Sequence, residues 1–431
     1  MQFTNVFVIL FLVGTVVDFV INQLLEFIDY RSRIKNGTKV PEILKDYLDE
    51  PKLKETCEYK NAKYKAWIPN TVCALILSLA LLFSGFYVWL FNLLWNWSSN
   101  AYVTVILFTI LGELPASVLS IPFELYHEFG IEKKFGFSTM TFKLWIIDQI
   151  KELIVSVVLI AILLSVAVFL ILHANNWWWI LLSAFYIVFS VIVNIAYPLW
   201  IAPLFNKFTP LPEGDLKNRL VGIMEKTGFK ADGIFVMDAS KRSRHSNAYF
   251  TGFGKSKRVV LYDTLVEQMS GEEVEAVMGH ELGHYKKHHI IKKLIISIPV
   301  MVACLFVVSI IVKNPAIYEG FGFTVQTAVN NAGKQIVSPY MQYVGFFFTA
   351  IVFSGYGVIV SLISNTASRK DEFEADMFSA KLCGNGKALS TALIKLNKEN
   401  LSEVNPPKVY TVFNYNHPPL LERIDAIKDV K

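Results

Sequence analysis

Two histidines four residues apart, His280 and His284, bracket Glu281 in the run His280-Glu281-Leu282-Gly283-His284. On an α-helix this spacing sets both imidazoles on one side, one turn apart, where they can grip a single zinc ion at about 2.0–2.1 Å. Glu281, between them, can reach water beside the ion without ligating it, which is the arrangement metal-assisted hydrolysis needs. Such a pattern arises by chance on the order of once in a hundred chains of this composition, so its context must decide.

A third ligand is available in Arg369-Lys-Asp-Glu-Phe-Glu-Ala-Asp376, a run expected to begin another helix. Glu372 and Asp376 are four apart and share a helical face. Glu372 can therefore complete the site, while Asp376 accepts a hydrogen bond from the free ring N–H of a ligand histidine. Glu374 points about 200° away on the same wheel, and Asp371, on a different edge, stays open as a ligand. The plainer reading is four solvated acids at a helix N-terminus. The membrane segments flanking both motifs argue against it.

The helix carrying the histidines is expected to start at Ser270, because Ser270-Gly-Glu-Glu273 matches a capping box. Upstream, 233–238 and 257–262 are short β-branched runs that read as strands, with a glycine-broken strand at 247–254 between them.

The chain of 431 residues is 53% hydrophobic and 14% aromatic, more apolar material than one soluble core needs. Roughly 20 apolar residues cross about 30 Å of hydrocarbon as a helix. Seven stretches qualify, near 5–27, 68–95, 102–123, 153–172, 177–203, 294–312 and 343–364. The first has no lysine or arginine ahead of it and no small-residue cleavage site behind it, so it is expected to be retained. Arg31, Arg33, Lys35 and further lysines to Lys65 fill the first loop, and Lys133, Lys134, Lys143 and Lys151 the third. Loops 96–100 and 174–176 have none. The basic loops and the C-terminus are therefore expected in the cytoplasm, and antiparallel spans six and seven return both motifs to one face. The net charge of +5 accompanies no nucleic-acid motif. Cys57, Cys73, Cys304 and Cys383 show no paired spacing, which argues against a disulfide framework or a cysteine zinc site.

The run 280–284, the segment 369–376, Ser246-Asn-Ala-Tyr-Phe-Thr-Gly252, His417-Pro-Pro-Leu-Leu-Glu-Arg423 and the seven spans resemble the CAAX prenyl protease type 1 family along essentially the whole chain. The resemblance implies one zinc ion per chain on His280, His284 and Glu372, with Asp376 behind the ligands and Glu281 as general base. It implies a multi-pass α-helical membrane protein, about seven helices forming a barrel around a large water-filled chamber, with a cytoplasmic α+β protease domain. Asp18 and Glu113, charged residues within spans, fit such a chamber. It also implies that Asn247 and Ala248 lie on an edge strand to which an extended substrate adds. His417 is expected as a second electrophile for the oxyanion. Arg423 is expected near the site, either orienting carboxylates or binding the substrate's C-terminal carboxylate. His288 and His289, in the run Tyr285-Lys-Lys-His-His, are expected to snorkel at the membrane surface. No role is expected for His127, His173 or His245.

The expected division is 1–205 for the first five spans, 206–292 for the catalytic segment, 293–365 for the last two spans and 366–431 for the segment bearing the third ligand. The implied activity removes the last three residues of a prenylated CAAX protein. A membrane-protein quality-control protease without prenyl specificity is the main rival. A transporter or scaffold that merely keeps a metal is disfavoured by the presence of Glu281. The expected partners are a peptide or protein substrate and the lipid bilayer, without nucleic acid. The expected location is the endoplasmic reticulum membrane in a eukaryote or the inner membrane in a bacterium.

Overall fold

The computed structural model describes residues 2–252, 257–329, 333 and 335–430. Asn5 caps α1 (Val6–Asn36) through its side chain, which accepts from the Phe7 N–H. There follow α2 (Glu50–Phe83), α3 (Phe86–Ser98), α4 (Ala101–Leu125, continued by a π turn to Glu132), α5 (Phe142–His173) and α6 (Trp178–Ala196). Several of these carry polar turns beyond their apolar runs, as α2 does from Glu50 to Lys65. The stretch 68–95 is not one helix as the sequence suggests. It breaks at Gly85, whose φ of 78° suits a residue without a β-carbon, and α3 begins there as a separate helix.

After α7 (Ala202–Phe205) comes the polar domain: β1 (Phe208–Pro210), α8 (Asp215–Thr227), β2 (Gly233–Met237), β3 (Ala248–Thr251), β4 (Arg258–Tyr262), α9 (Asp263–Gln268) and α10 (Gly271–Lys286). The strands form a mixed sheet in the order β1-β2-β4-β3. β2 and β4 are parallel, and β3 pairs antiparallel to β4 with Ala248 opposite Leu261. Leu220 and Ile223 of α8, Val259 and Leu261 of β4, and Val277 and Leu282 of α10 bury one shared core. Residues 253 and 254 of the sequence-predicted strand lie outside the described residues. The capping box is present: Ser270 Oγ accepts from the Glu273 N–H and the Glu273 carboxylate accepts from the Ser270 N–H.

The chain re-enters the apolar layer through α11 (His289–Ile311), then passes α12 (Ala316–Glu319) and a small hairpin, β5 (Thr327–Val329) and β6 (Gln335–Val337). It returns through α13 (Pro339–Ser354) and α14 (Gly357–Leu382), which meet at a bend of 68°. Among the described residues six helices are long and apolar enough to cross a membrane, and this bent pair, taken as one span, makes up to seven. The sequence reading ended the last span near 364 and began a new helix afterwards. Instead the break falls earlier, where Gly355 presses onto the Gly14 backbone of α1, and α14 runs unbroken from apolar residues through Glu372. α15 (Lys387–Glu399), α16 (Lys408–Asn414) and α17 (Leu420–Ile427) complete the polar domain.

Between the helices lie cavities. One of about 730 Å³ is lined by Arg33, Lys60, Lys63, Glu124 and Tyr410 among others, and another of about 480 Å³ by Asn70, Ser78, Glu113 and Ser120. Glu113 lines this second cavity, whose walls are mostly apolar side chains such as Leu77, Leu81 and Phe347. Asp18 is half-buried on α1.

Candidate metal centre

The centre forms where α10 crosses α14, and small residues set the approach. A β-carbon on Gly279 would lie 2.8 Å from Ser379 Oγ, and that hydroxyl donates to the Ala276 carbonyl at 2.6 Å. One turn on, Gly283 lies against the Ala375 backbone. Arg369 fixes the register of α14 further up by donating to the carbonyls of Thr411, Val412 and Tyr415.

At this crossing His280 Nε2 and His284 Nε2 are 3.2 Å apart, His280 Nε2 is 3.3 Å from Glu372 Oε2, and His284 Nε2 is 3.2 Å from Glu372 Oε1. Donor atoms about 2.0–2.1 Å from a tetrahedral ion stand about 3.3 Å from one another, so the triad has the edge lengths of a zinc site. The chemistry of the donors agrees. Glu372 is 4% exposed, and its Oε2 makes no well-directed hydrogen bond although His417 Nδ1 lies 2.7 Å away. Such an orphaned buried oxygen, facing two imidazole nitrogens, is satisfied by a cation. The residues therefore fit a metal.

His280 Nδ1 donates to Asp376 Oδ1 at 2.8 Å, which leaves its Nε2 lone pair directed at the other two donors. Burial alone would lower this imidazole, but the Asp376 and Glu372 carboxylates beside it outweigh burial and push His280 up to about 9, so the centre draws positive charge. Glu281 is half-buried, has no ion pair among the described residues, and burial raises its carboxyl above the usual range, which suits a base working near neutrality.

Arg423, expected either to orient carboxylates or to bind the substrate's C-terminal carboxylate, donates from Nε to Asp376 Oδ2 at 2.8 Å and from Nη2 to Asp376 Oδ1 at 2.7 Å, a bidentate pair that engages one edge of the guanidinium while the residue also lines the cavity beside the triad. Asp371 and Glu374 stand outside the donor triad, next to Lys293 and Lys292. His289 does not snorkel. His288 is exposed and takes a left-handed turn with φ 57°, and this reversal swings His289 inward to 1% exposure.

A cavity of about 510 Å³ opens beside the triad at His280, lined also by Asn247, Ala248, Glu281, His417 and Arg423. β3 is an edge strand, with no further strand beyond it among the described residues. His245, given no role from sequence, ties this strand's entrance to the membrane helices. It stacks on Phe137 at 4.0 Å and bonds Glu132 Oε2 at 3.1 Å and Asn400 Oδ1 at 3.0 Å. Its partners are more than a hundred positions away in sequence, and no spacing signals them.

Comparison with known proteins agrees with this architecture. Residues 29–207 match the CAAX prenyl protease N-terminal family of five membrane helices, and residues 210–431 match peptidase family M48. The CAAX prenyl protease 1 homolog of Arabidopsis thaliana is 38% identical over 72% of this chain and 70% of its own length. The CAAX prenyl protease 1 homolog of Homo sapiens is 34% identical over 76% and 74%, and CAAX prenyl protease 1 of Saccharomyces cerevisiae 32% over 93% and 91%. The crystal structure of S. mikatae Ste24p aligns with a TM-score of 0.87 and 31% identity, covering 97% of this chain and 98% of that one.

Proposed function

The chain belongs to peptidase family M48, in its CAAX prenyl protease 1 branch, and from that premise we propose that this multi-pass membrane metalloprotease uses zinc to cut three residues from the C-terminus of prenylated CAAX proteins. The observation that carries the zinc reading is the triad of His280, His284 and Glu372 at 3.2–3.3 Å. Zinc bound there would supply Lewis acidity, polarising the scissile carbonyl and making water a stronger acid. Glu281 takes the proton from water and passes it to the leaving amine. Asn247 and Ala248 extend the substrate as an added strand, whose main-chain hydrogen bonds set the scissile bond over the triad. His417, more than half exposed at the mouth of the cavity, donates a hydrogen bond to the developing oxyanion. Asp376 and Arg423 hold His280 in the tautomer that presents Nε2.

In the same reading the centre lies on the cytoplasmic face, in the endoplasmic reticulum membrane of a eukaryote, because the basic first and third loops hold that side. The lipid of the substrate stays in apolar surroundings while its peptide reaches the triad. Purified, zinc-loaded protein should cleave a farnesylated CAAX peptide and leave its unlipidated twin almost untouched. Glu281→Ala should keep the metal and lose turnover by a factor on the order of 10²–10⁴. Equal cleavage of both peptides would favour the quality-control protease instead.

A further inference from the structure

His284 needs what His280 has, a partner for the ring nitrogen that faces away from the triad. Its Nδ1 lies 3.0 Å from Nδ1 of His289. His289 Nε2 in turn lies 3.3 Å from Glu374 Oε2 and 3.7 Å from Asp371 Oδ1. Two ring nitrogens at hydrogen-bond distance hold one proton between them. If His284 keeps Nε2 bare toward Glu372, its proton must sit on Nδ1, so His289 accepts at Nδ1 and carries its own proton on Nε2, aimed at the acids. Only this order of tautomers satisfies every nitrogen in the row. We infer that His289 is a positioning residue for His284, relaying Glu374 and Asp371 to the second histidine as Asp376 serves the first directly. The inference rests on the metal reading above.

The relay explains features that packing alone leaves open. A histidine within a run of exposed lysines is 1% exposed, and Glu374, half exposed and on the opposite side of α14 from Glu372, turns toward it. The row also joins α10, α11 and α14, so the tilt of the His284 ring is fixed from three helices.

The test uses full-length protein in detergent with cobalt in place of zinc, read by visible absorption and by metal affinity in chelator competition. His289→Leu removes the acceptor and should weaken affinity about 10–100-fold with an altered cobalt spectrum. His289→Asn, whose side-chain oxygen can accept in place of Nδ1, should recover most of both. Glu374→Ala, at a half-exposed position that folding tolerates, should shift both in the same direction by less, which keeps the test usable where His289→Leu does not fold. Wild-type protein that takes up no metal would sink the metal reading itself. Metal-binding wild type together with unchanged affinity and spectrum in His289→Leu and Glu374→Ala would overturn the relay alone. Equal loss in the Leu and Asn variants would also overturn it, by assigning His289 to packing.

Discussion

Gly283 and Ala375 meet backbone to backbone: a β-carbon on Gly283 would stand 2.9 Å from Ala375 Cα and 3.0 Å from its carbonyl oxygen. Neither neighbour is a flexible side chain that could move aside. The fourth residue of the histidine motif therefore sets how closely α10 approaches α14, and with it the distance from His280 and His284 to Glu372.

Gly283→Ala should force the two helices apart, at a cost of about 1–3 kcal/mol from overpacking, and lower both zinc content per chain and zinc affinity. Gly222→Ala, on α8 with open space around it, serves as the control and should leave both unchanged. Elemental analysis of the purified proteins reads the difference. Full zinc in Gly283→Ala would mean that the ligands tolerate a wider crossing.

The bidentate pair between Arg423 and Asp376 leads to a second expectation. Asp376→Asn should weaken zinc affinity about 10–100-fold, and Arg423→Lys should weaken it less, since one charged partner for Asp376 remains. The preference for a free C-terminal carboxylate over a C-terminal amide in the substrate should be the same in Arg423→Lys as in wild type. Loss of that preference would return Arg423 to the substrate site.

The motif residues and the elements that carry them were legible in sequence because each rests on local spacing: His280 and His284 by four, Glu372 and Asp376 by four, Ser270 and Glu273 by three. The apolar runs gave the spans for the same reason. What sequence could not carry is contact between distant segments. Gly355, at the bend between α13 and α14, packs against the backbone of Gly14, more than three hundred positions away. Arg423 finds Asp376, and His245 finds Glu132 and Asn400, only after the fold closes. His289 was misread because its neighbours Lys286, Lys287 and His288 are exposed, while the left-handed turn at His288 sends the next side chain the other way.

Acid should loosen the N-terminus of the metal-bearing helix. Burial would raise the Glu273 carboxyl, but its bond with the Lys395 ammonium at 2.7 Å and the capping N–H of Ser270 hold it below its ordinary 4.5. With the folded value depressed, the folded protein binds fewer protons here than the unfolded one. Its stabilisation is therefore present above about pH 4.5 and lost as pH falls through the folded value. Glu273→Gln preserves the capping geometry and removes the charge, so its unfolding midpoint should fall short of wild type at neutral pH and converge with it below pH 4.5. A gap that stays constant with pH would assign the effect to packing.

Sidedness is the remaining condition, because His284 on α10 and Glu372 on α14 are separated in sequence by α11 and α13 and can share a metal only if both ends return to one membrane face. Single cysteine reporters, introduced after Cys57, Cys73, Cys304 and Cys383 are replaced, can read this at Asn218, Lys387 and Glu319, all exposed. Asn218 and Lys387 lie in the polar domain on either side of the two spans, and Glu319 lies between them. The lysines and arginines of the first and third loops put Asn218 and Lys387 inside and Glu319 outside. An impermeant thiol reagent added to sealed vesicles whose cytoplasmic face is turned outward should label Asn218→Cys and Lys387→Cys at once and Glu319→Cys only after permeabilisation. Were Asn218→Cys and Lys387→Cys to label from opposite sides, α10 and α14 could not cross, and His280, His284 and Glu372 would lose the geometry on which the zinc reading depends.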